Sequence, residues 1–115
     1  MFCFSPRSKC RFLHYANGRL YIVDLGLDCV YVLDPKKNTI KLFGASGRLP
    51  GQFNDPAGLA VDEKSNLIIA DSRNHRVQIF DRKRKCLGLV KVRGAGAISF
   101  FSSFWSEFIR QNKFK

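Results

Sequence analysis

The 115-residue sequence is poor in acidic residues, in histidine and in long apolar stretches. It has 9 Asp and Glu against 20 Lys and Arg, and only two His. No apolar run approaches the ~20 residues that a transmembrane helix needs, so we expect no membrane span. Met1–Phe4 is followed at once by Ser5-Pro6-Arg7, an apolar start too short for the core of a signal peptide. We therefore expect a cytosolic or nuclear chain with reduced cysteines, and predict the cytoplasm.

Residues that bind zinc or carry out catalysis are also scarce. The four cysteines, at positions 3, 10, 29 and 86, form no Cys-x-x-Cys pair. Together with the two histidines they are fewer than the roughly eight ligands of a two-zinc RING module, at about four per zinc. No Ser-His-Asp order is visible, and residues 44–47 (GASG) lack the lysine and helix of a P-loop. We expect no cofactor, no metal and no complete RING.

Positive charge is concentrated towards the two ends of the chain. The formal net charge is +11, yet residues 16–81 hold eight basic and eight acidic residues. The excess lies in residues 1–15, 82–92 and 93–115. A strongly basic protein is typical of nucleic-acid binding. The position of the charge weakens that indication and predicts a neutral folded body between basic flanks.

Part of the sequence repeats after 47 residues. Residues 18–24 (GRLYIVD) and 65–71 (SNLIIAD) share apolar and Asp positions at that offset. The match continues downstream, where Val30 falls on Val77 and Asp34 on Asp81. A repeat of this length indicates a solenoid, a propeller or an array.

Each repeat has the pattern of four short β-strands. Apolar or alternating runs separated by turn residues recur, as is typical of strands. The predicted strands are 11–15, 20–23, 29–33, 40–43, 58–61, 67–70, 76–80 and 87–92. Four strands per repeat are typical of a propeller blade, whereas leucine-rich and helical repeats differ in period or spacing. The sequence predicts an all-β fold of two four-stranded antiparallel sheets, the first of them incomplete.

Two blades do not close a propeller, which has roughly four to eight. We therefore expect an incomplete β-propeller that needs further blades or assembly to close. The predicted divisions are a basic segment with a degenerate first strand (1–16), a first repeat with the inter-blade linker (17–55), a second repeat (56–92) and a divergent Phe-rich tail (93–115).

The tail carries apolar residues at helical spacing. Positions 97, 101, 104, 105 and 108 share one helical face, which predicts a short C-terminal amphipathic helix. Such a helix would touch a membrane or cover a bare blade. Sequence unrelated to the fold, from a splice or gene-model boundary, is the alternative.

The second repeat resembles an NHL repeat. Residues 50–62 (PGQFNDPAGLAVD) and 66–80 (NLIIADSRNHRVQIF) carry the family's Pro-Gly-Gln-Phe, Pro-x-Gly-apolar-Ala-Val-Asp and Ala-Asp-Ser-x-Asn-His-Arg elements in order. The resemblance is to the NHL propellers of tripartite-motif and RING-finger proteins, and it covers roughly residues 17–92. The first repeat departs from it, because residues 25–28 (LGLD) stand where the second repeat has 72–75 (SRNH).

The resemblance implies a binding module that is not itself an enzyme. Its partner would be RNA, single-stranded or hairpin, or a protein, as in ubiquitin ligases and translational repressors. Polyubiquitination would then require a longer parent protein with a RING. One alternative is a protein-recruitment module for ubiquitination without RNA binding. The other is a fragment of a metal-dependent propeller lyase or lactonase, for which the sequence offers only His14 and His75 as histidine ligands.

The resemblance also assigns roles to individual residues. In such propellers the turn after the second strand and the inter-blade linker open on one face. The predicted RNA- or partner-binding face carries Arg48, Gln52, Asn54, Arg73 and Asn74. The predicted structural turn residues are Asp24, Asp71, His75 and Arg76, in turns where Asp caps amides, Asn74 tolerates a left-handed conformation and Arg76 pairs with Asp71. Phe53 is predicted to plug the space between the blades.

Two basic runs follow the third strands and are predicted on the opposite face. They are Lys36-Lys37 and Arg82–Lys85. A charge run in a hairpin is usually only solvated, and nonspecific, salt-dependent attraction to nucleic acid is the alternative. If the intact propeller binds RNA, Arg73→Glu should weaken binding more than Lys83→Glu does.

Overall fold

The computed structural model describes residues 8–91. The predictions made for residues 1–7 and 92–115, including the amphipathic helix of the tail and the end of the last strand, lie outside the described residues. Within 8–91 the chain is built from strands, with one 3-10 turn at Ser72–Asn74. No helix in this part of the chain is long and apolar enough to cross a membrane. The all-β prediction is confirmed.

The first sheet is a four-stranded antiparallel meander. Its strands follow one another in space as they do in sequence. They are β1 (Cys10–Ala16), β2 (Arg19–Asp24), β3 (Cys29–Asp34) and β4 (Thr39–Phe43). Short apolar or alternating runs bounded by turn residues account for β2, β3 and β4.

This first sheet is complete, and the expectation that it would be incomplete was wrong. β1 lacks the Pro-x-Gly-apolar pattern, but it pairs with β2 from Phe12↔Val23 to Ala16↔Arg19. Asn17 and Gly18 join the two strands, with φ values of 54° and 75°. Such positive values suit the two-residue turns of β-hairpins. Turn geometry and backbone pairing form the strand although its side chains depart from the repeat.

The second sheet repeats the first. Its neighbouring strands are β7 (Pro56–Val61), β8 (Leu67–Asp71), β9 (Arg76–Phe80) and β10 (Cys86–Lys91). Asp24 pairs with Cys29 in the first sheet, and Asp71 pairs with Arg76 in the second. The 47-residue offset seen in the sequence is therefore also the offset of the strand register.

A short linker connects the two sheets. Its segments β5 (Ala45–Ser46) and β6 (Gln52–Phe53) pair in parallel. The backbone N–H of Gly47 donates to the carbonyl of Phe53 at 3.1 Å, and that of Gln52 to the carbonyl of Leu49 at 2.9 Å. The linker is thus a hydrogen-bonded loop that returns on itself before the second blade begins.

Aromatic side chains fill the space between the sheets. Phe53 is fully buried and meets Phe43 and Phe80 edge to face, with ring centroids 5.9 Å from each. Phe43 and Phe80 contact each other at 5.3 Å. Since Phe43 ends β4 and Phe80 ends β9, the linker residue Phe53 joins the two sheets. Its predicted role as a plug is confirmed.

The outer face of the first sheet is partly open to solvent. Leu13, Tyr15, Ile40 and Leu42 are each more than half exposed. Leu42 pairs with Tyr31, so this face is the one turned away from the second sheet. The two sheets therefore form neighbouring blades of a propeller that the described residues do not close.

Candidate functional site

A buried aspartate organises the turn that follows β8. Asp71 is fully buried. Its Oδ1 accepts a hydrogen bond from the backbone N–H of Asn54 at 2.7 Å. Its Oδ2 accepts from the side chains of Asn74 at 3.0 Å, Arg76 at 2.8 Å and Gln78 at 3.0 Å. One carboxylate therefore ties the linker, the turn and β9 together.

Arg76 extends this network to the linker carbonyls. Its Nη1 donates to the carbonyl of Arg48 at 2.8 Å, and its Nη2 to the carbonyls of Leu49 at 3.1 Å and Gln52 at 3.0 Å. Gln78, which is fully buried, adds a bond of 2.7 Å to the same Gln52 carbonyl. Gln78 is not among the site residues predicted from the sequence. The signal for it is a polar residue between the apolar residues Val77 and Ile79.

The left-handed residue of this turn is His75, and not Asn74 as predicted from the sequence. His75 has φ 53°, whereas Asn74 ends the 3-10 turn Ser72–Asn74. The Asn74 amide is used instead to donate to the carbonyl of Gly47 at 2.8 Å. Asp28, which lies 47 residues before His75, is also left-handed, with φ 52°. The two turns thus share a left-handed residue although their side chains differ.

A basic pocket opens beside this turn. It has a volume of about 400 Å³ and is lined by Arg48, Arg73, Asn74, His75, Arg76 and Lys91. The Arg73 side chain is 73% exposed, and its Nε lies 3.5 Å from Oδ2 of Asp55. Exposed ion pairs of this kind contribute little stability. Arg76 is already bonded to the linker, so Arg48, Arg73 and Lys91 are the lining cations that face solvent.

The structure brings together three of the five residues predicted for the binding face. Arg48, Arg73 and Asn74 line the pocket, whereas Gln52 and Asn54 do not. The Gln52 side chain accepts from the backbone N–H of Leu49 at 3.2 Å, and the Asn54 side chain is exposed near the turn. The binding role of all five residues stays a prediction.

Lys91 lines the pocket and was not predicted there. It pairs with Arg76 across β9 and β10, so the strand register places it beside the turn. The sequence indicates that Lys91 lies near the end of the strand that became β10. Its position beside the turn could be inferred only with the pairing of β9 and β10 known.

The first blade has its own capping aspartate. Oδ1 of the fully buried Asp24 accepts from the backbone N–H groups of Lys9 at 2.8 Å, Gly26 at 2.9 Å and Leu27 at 3.2 Å. Its Oδ2 accepts from the Tyr31 hydroxyl at 3.2 Å. Where the second blade has an arginine at position 76, the first has Cys29, so Asp24 relies on backbone amides and on the hydroxyl groups of Tyr31 and Ser8.

These contacts change the acidity of the groups involved. Burial pushes the pKa of Asp24 upwards, but the hydrogen bonds from Lys9, Ser8, Leu27 and Tyr31 outweigh it and hold the pKa below its usual value. Burial raises the pKa of the Cys29 thiol to about 11 and also raises the pKa of Tyr31. Asp24 is therefore a stable anion inside the blade.

The basic runs after the third strands lie away from the pocket at the β8–β9 turn. Lys37 and Arg82–Arg84 line a separate cleft, and none of them lines the pocket of Arg73. This is the separation expected when alternate turns open at opposite ends of a blade.

The two histidines occupy different settings. His14 lies in β1 opposite Tyr21, and His75 follows the 3-10 turn at the pocket. Within residues 8–91, no three His, Cys, Asp or Glu side chains are grouped so that they would hold a metal ion.

Comparison with known proteins finds a family match in the segment that contains the β8–β9 turn. Residues 53–80 match the family model of the NHL repeat. Over 41 residues, 36% of this chain and 4% of the relative, the chain is 49% identical to "Protein brain tumor" of Drosophila melanogaster. Over 65 residues, 56% of this chain and 10% of the relative, it is 40% identical to "E3 ubiquitin-protein ligase TRIM32" of Mus musculus.

A further relative is "Protein lin-41" of Caenorhabditis elegans, which is 44% identical over 46 residues, 40% of this chain and 4% of the relative. The chain thus spans 4 to 10% of the length of these three relatives. The matched segment runs from the inter-sheet plug Phe53 to Phe80 and includes the Asp71 and Arg76 network. Residues 53–80 are therefore an NHL repeat.

Proposed function

We propose that the chain forms part of a propeller module that binds single-stranded RNA at the pocket beside the β8–β9 turn. The observation that carries the proposal is that Arg48, Arg73 and Lys91 line one pocket. These cations come from the linker, the turn and the last strand, so they meet only in the folded blade. Lys and Arg side chains gathered in this way suit the phosphates of a nucleic-acid backbone.

The pocket is held in shape before any ligand arrives. The Asp71 carboxylate accepts from the linker backbone at Asn54 and from the Asn74 side chain of the turn. The Arg76 guanidinium donates to the linker carbonyl of Arg48. A preorganised site loses less conformational entropy on binding than a mobile one. Arg73 is the adaptable element, because exchanging its exposed ion pair with Asp55 for a phosphate contact costs little.

In this proposal the module acts in the cytoplasm and does not itself catalyse a reaction. The relatives are many times longer than this chain. Any ubiquitin transfer would belong to a longer parent protein with a RING, and closure of the propeller would require further blades.

A second candidate is the recruitment of a protein partner by the same pocket. It is favoured by the 65-residue match to a relative named as an E3 ubiquitin-protein ligase. An acidic peptide would use the same cations, but it would not depend on nucleobases. The two candidates therefore differ in whether the full-length protein binds single-stranded RNA at all.

The test is a titration of a fluorescently labelled single-stranded RNA with the full-length protein at two salt concentrations. Arg73→Glu is compared with Lys85→Glu, which changes the charge equally and lies in neither basic cleft. We expect Arg73→Glu to weaken binding about ten- to a hundredfold, as the loss of a phosphate or base contact would. Equal losses for the two variants would reject the site and favour protein recruitment.

A further inference from the structure

A second basic cleft lies between the two blades, apart from the pocket of Arg73. It has a volume of about 300 Å³. Its basic lining residues are Arg19, Lys37, Lys41, Arg82, Lys83 and Arg84. The first three belong to the first sheet and its β3–β4 turn, and the last three to the β9–β10 turn of the second. Both blades are needed to build the cleft.

The acidic side chain that lines this cleft does not neutralise it. Asp34 lies 3.5 Å from Nε of Arg19 and accepts from the backbone N–H groups of Lys36 at 3.1 Å and Lys37 at 3.3 Å. Burial raises the pKa of Asp34, but these amides and the Arg19 charge outweigh it and hold the pKa below its usual value. Asp34 is thus ionised and already engaged, and the remaining cations give the cleft a net positive charge.

Arg84 is fixed in the wall of the cleft rather than extended into solvent. Its guanidinium carbon lies 5.4 Å from the centre of the Phe43 ring, which belongs to the neighbouring sheet. A cation over an aromatic face is attracted by the ring. Its Nη1 also donates to the carbonyl of Arg82 at 3.4 Å, and its backbone is left-handed, with φ 68°. The β9–β10 turn therefore presents Arg84 at a defined place between the blades.

The residue types that line this cleft differ from those of a site that recognises nucleobases. Recognition of single strands relies on exposed aromatic rings on which bases stack. No aromatic side chain is among the described lining residues of this cleft, whereas the His75 imidazole lines the pocket of Arg73. The nearby Phe43 ring is in contact with Arg84. What the cleft offers is guanidinium and ammonium groups from two directions, which is the chemistry that recognises phosphate groups.

We propose that this cleft binds a compact ligand that carries two or more phosphate groups. The volume fits a small molecule rather than an extended polymer, and cations from both blades would contact separate phosphates at once. A soluble oligophosphate and the phosphorylated headgroup of an inositol lipid share this chemistry. The inference does not rest on the RNA site, because the two clefts have no lining residue in common.

The test is calorimetric titration of the full-length protein with sodium tripolyphosphate and, separately, with inorganic phosphate. The double variant Lys37→Gln/Lys83→Gln removes two lining cations. The control Lys36→Gln/Lys85→Gln removes the same charge from exposed neighbours that do not line the cleft. We expect about a tenfold loss of tripolyphosphate affinity for the first and no more than about twofold for the second, since each specific exposed contact is worth a few-fold.

Several outcomes would overturn the proposal. Equal losses for the two double variants would show nonspecific attraction, and equal affinity for inorganic phosphate would show that clustered phosphates are not recognised. Absence of tripolyphosphate binding to the unaltered protein would also overturn it. If Arg73→Glu loses tripolyphosphate binding while Lys37→Gln/Lys83→Gln retains full affinity, the ligand binds in the pocket of Arg73 and not in this cleft. Retained tripolyphosphate binding in Arg73→Glu supports the second cleft even if the RNA proposal fails.

A second arm identifies the source of the phosphates. Phosphatidylcholine vesicles, with and without phosphatidylinositol bisphosphate, are sedimented with the same variants. Binding that needs the inositol lipid and is weakened only in Lys37→Gln/Lys83→Gln supports a headgroup ligand. Binding of tripolyphosphate with no response to the lipid supports a soluble ligand.

Discussion

Arg76 donates from Nε to Oδ2 of Asp71 at 2.8 Å, and the two side chains are only 7% and 0% exposed. A buried ion pair is tolerated when its remaining hydrogen-bonding groups are also satisfied. Here the Arg76 Nη atoms bind three linker carbonyls, while Asp71 accepts four hydrogen bonds in all. The pair therefore holds the turn against the linker, and the candidate pocket lies beside this contact.

The first prediction concerns this pair. Asp71→Ala should lower the free energy of unfolding by about 3–5 kcal/mol, because it leaves the Arg76 charge buried without a negatively charged partner. The measurement is urea unfolding of the full-length protein, followed by circular dichroism. Arg73→Ala is the control, since it removes only the exposed ion pair with Asp55 and should cost less than about 1 kcal/mol. Similar losses for the two variants would show that the buried network does not hold the turn.

The second prediction concerns Gly44, which lies directly against the inter-sheet plug. Its φ is 94°, and a Cβ at this position would lie 2.5 Å from Cε2 of the Phe53 ring. Gly44→Ala should therefore lower the free energy of unfolding by about 1–3 kcal/mol from overpacking alone, with the cost of the left-handed backbone added.

Gly88 in β10 provides a matched control. A Cβ there would meet no atom within 4 Å, and the backbone is not left-handed. Gly88→Ala should change the free energy of unfolding by no more than about 0.5 kcal/mol. Thermal unfolding of both variants is the measurement, and a loss in Gly88→Ala as large as that in Gly44→Ala would contradict the packing of Phe53 described above.

The third prediction concerns the dependence of stability on pH. Because the pKa of Asp24 is lower in the folded chain than its usual value, the folded state favours the carboxylate. This stabilisation is present above the unfolded pKa of about 3.9 and is lost as the pH falls through the folded pKa. The unaltered protein should thus lose stability below about pH 4, and Asp24→Asn should flatten that part of the curve.

The measurement for Asp24 is the free energy of unfolding from urea titrations between about pH 2 and 7. Glu63→Gln removes one exposed carboxylate in the turn between β7 and β8 and accounts for the general effect of net charge. If Asp24→Asn and the unaltered protein lose stability in parallel below about pH 4, the hydrogen bonds to Asp24 do not act as described.

Most strands could be predicted because their signals are local. Arg76–Phe80 has the predicted bounds, and Cys29–Asp34 extends the prediction by one residue, since alternation and turn residues mark both. β1 shows where this fails. Its side chains depart from the repeat, and its membership of the sheet depends on the Asn17-Gly18 turn and on pairing with β2. Backbone pairing across strands is not visible in the pattern of one strand alone.

The residues of the candidate site were likewise predictable only in part. Arg48, Arg73 and Asn74 were predicted on one face from the sequence, and all three line one pocket in the structure. Lys91 was not predicted there, because it reaches that pocket through its register with Arg76. The left-handed conformation was predicted for Asn74 rather than His75, because both residue types occur in turns and only the 3-10 geometry distinguishes their places.

By itself the sequence determined the all-β class, the repeat of 47 residues and the NHL motif, because alternation, turn residues and repetition are local properties of a chain. Only the tertiary structure decided which cations meet. Lys37 and Lys83 belong to different repeats, and their cleft exists because the Phe43, Phe53 and Phe80 rings hold the two sheets together. The approach of two sheets depends on the shapes of packed side chains, which no single segment of the sequence contains.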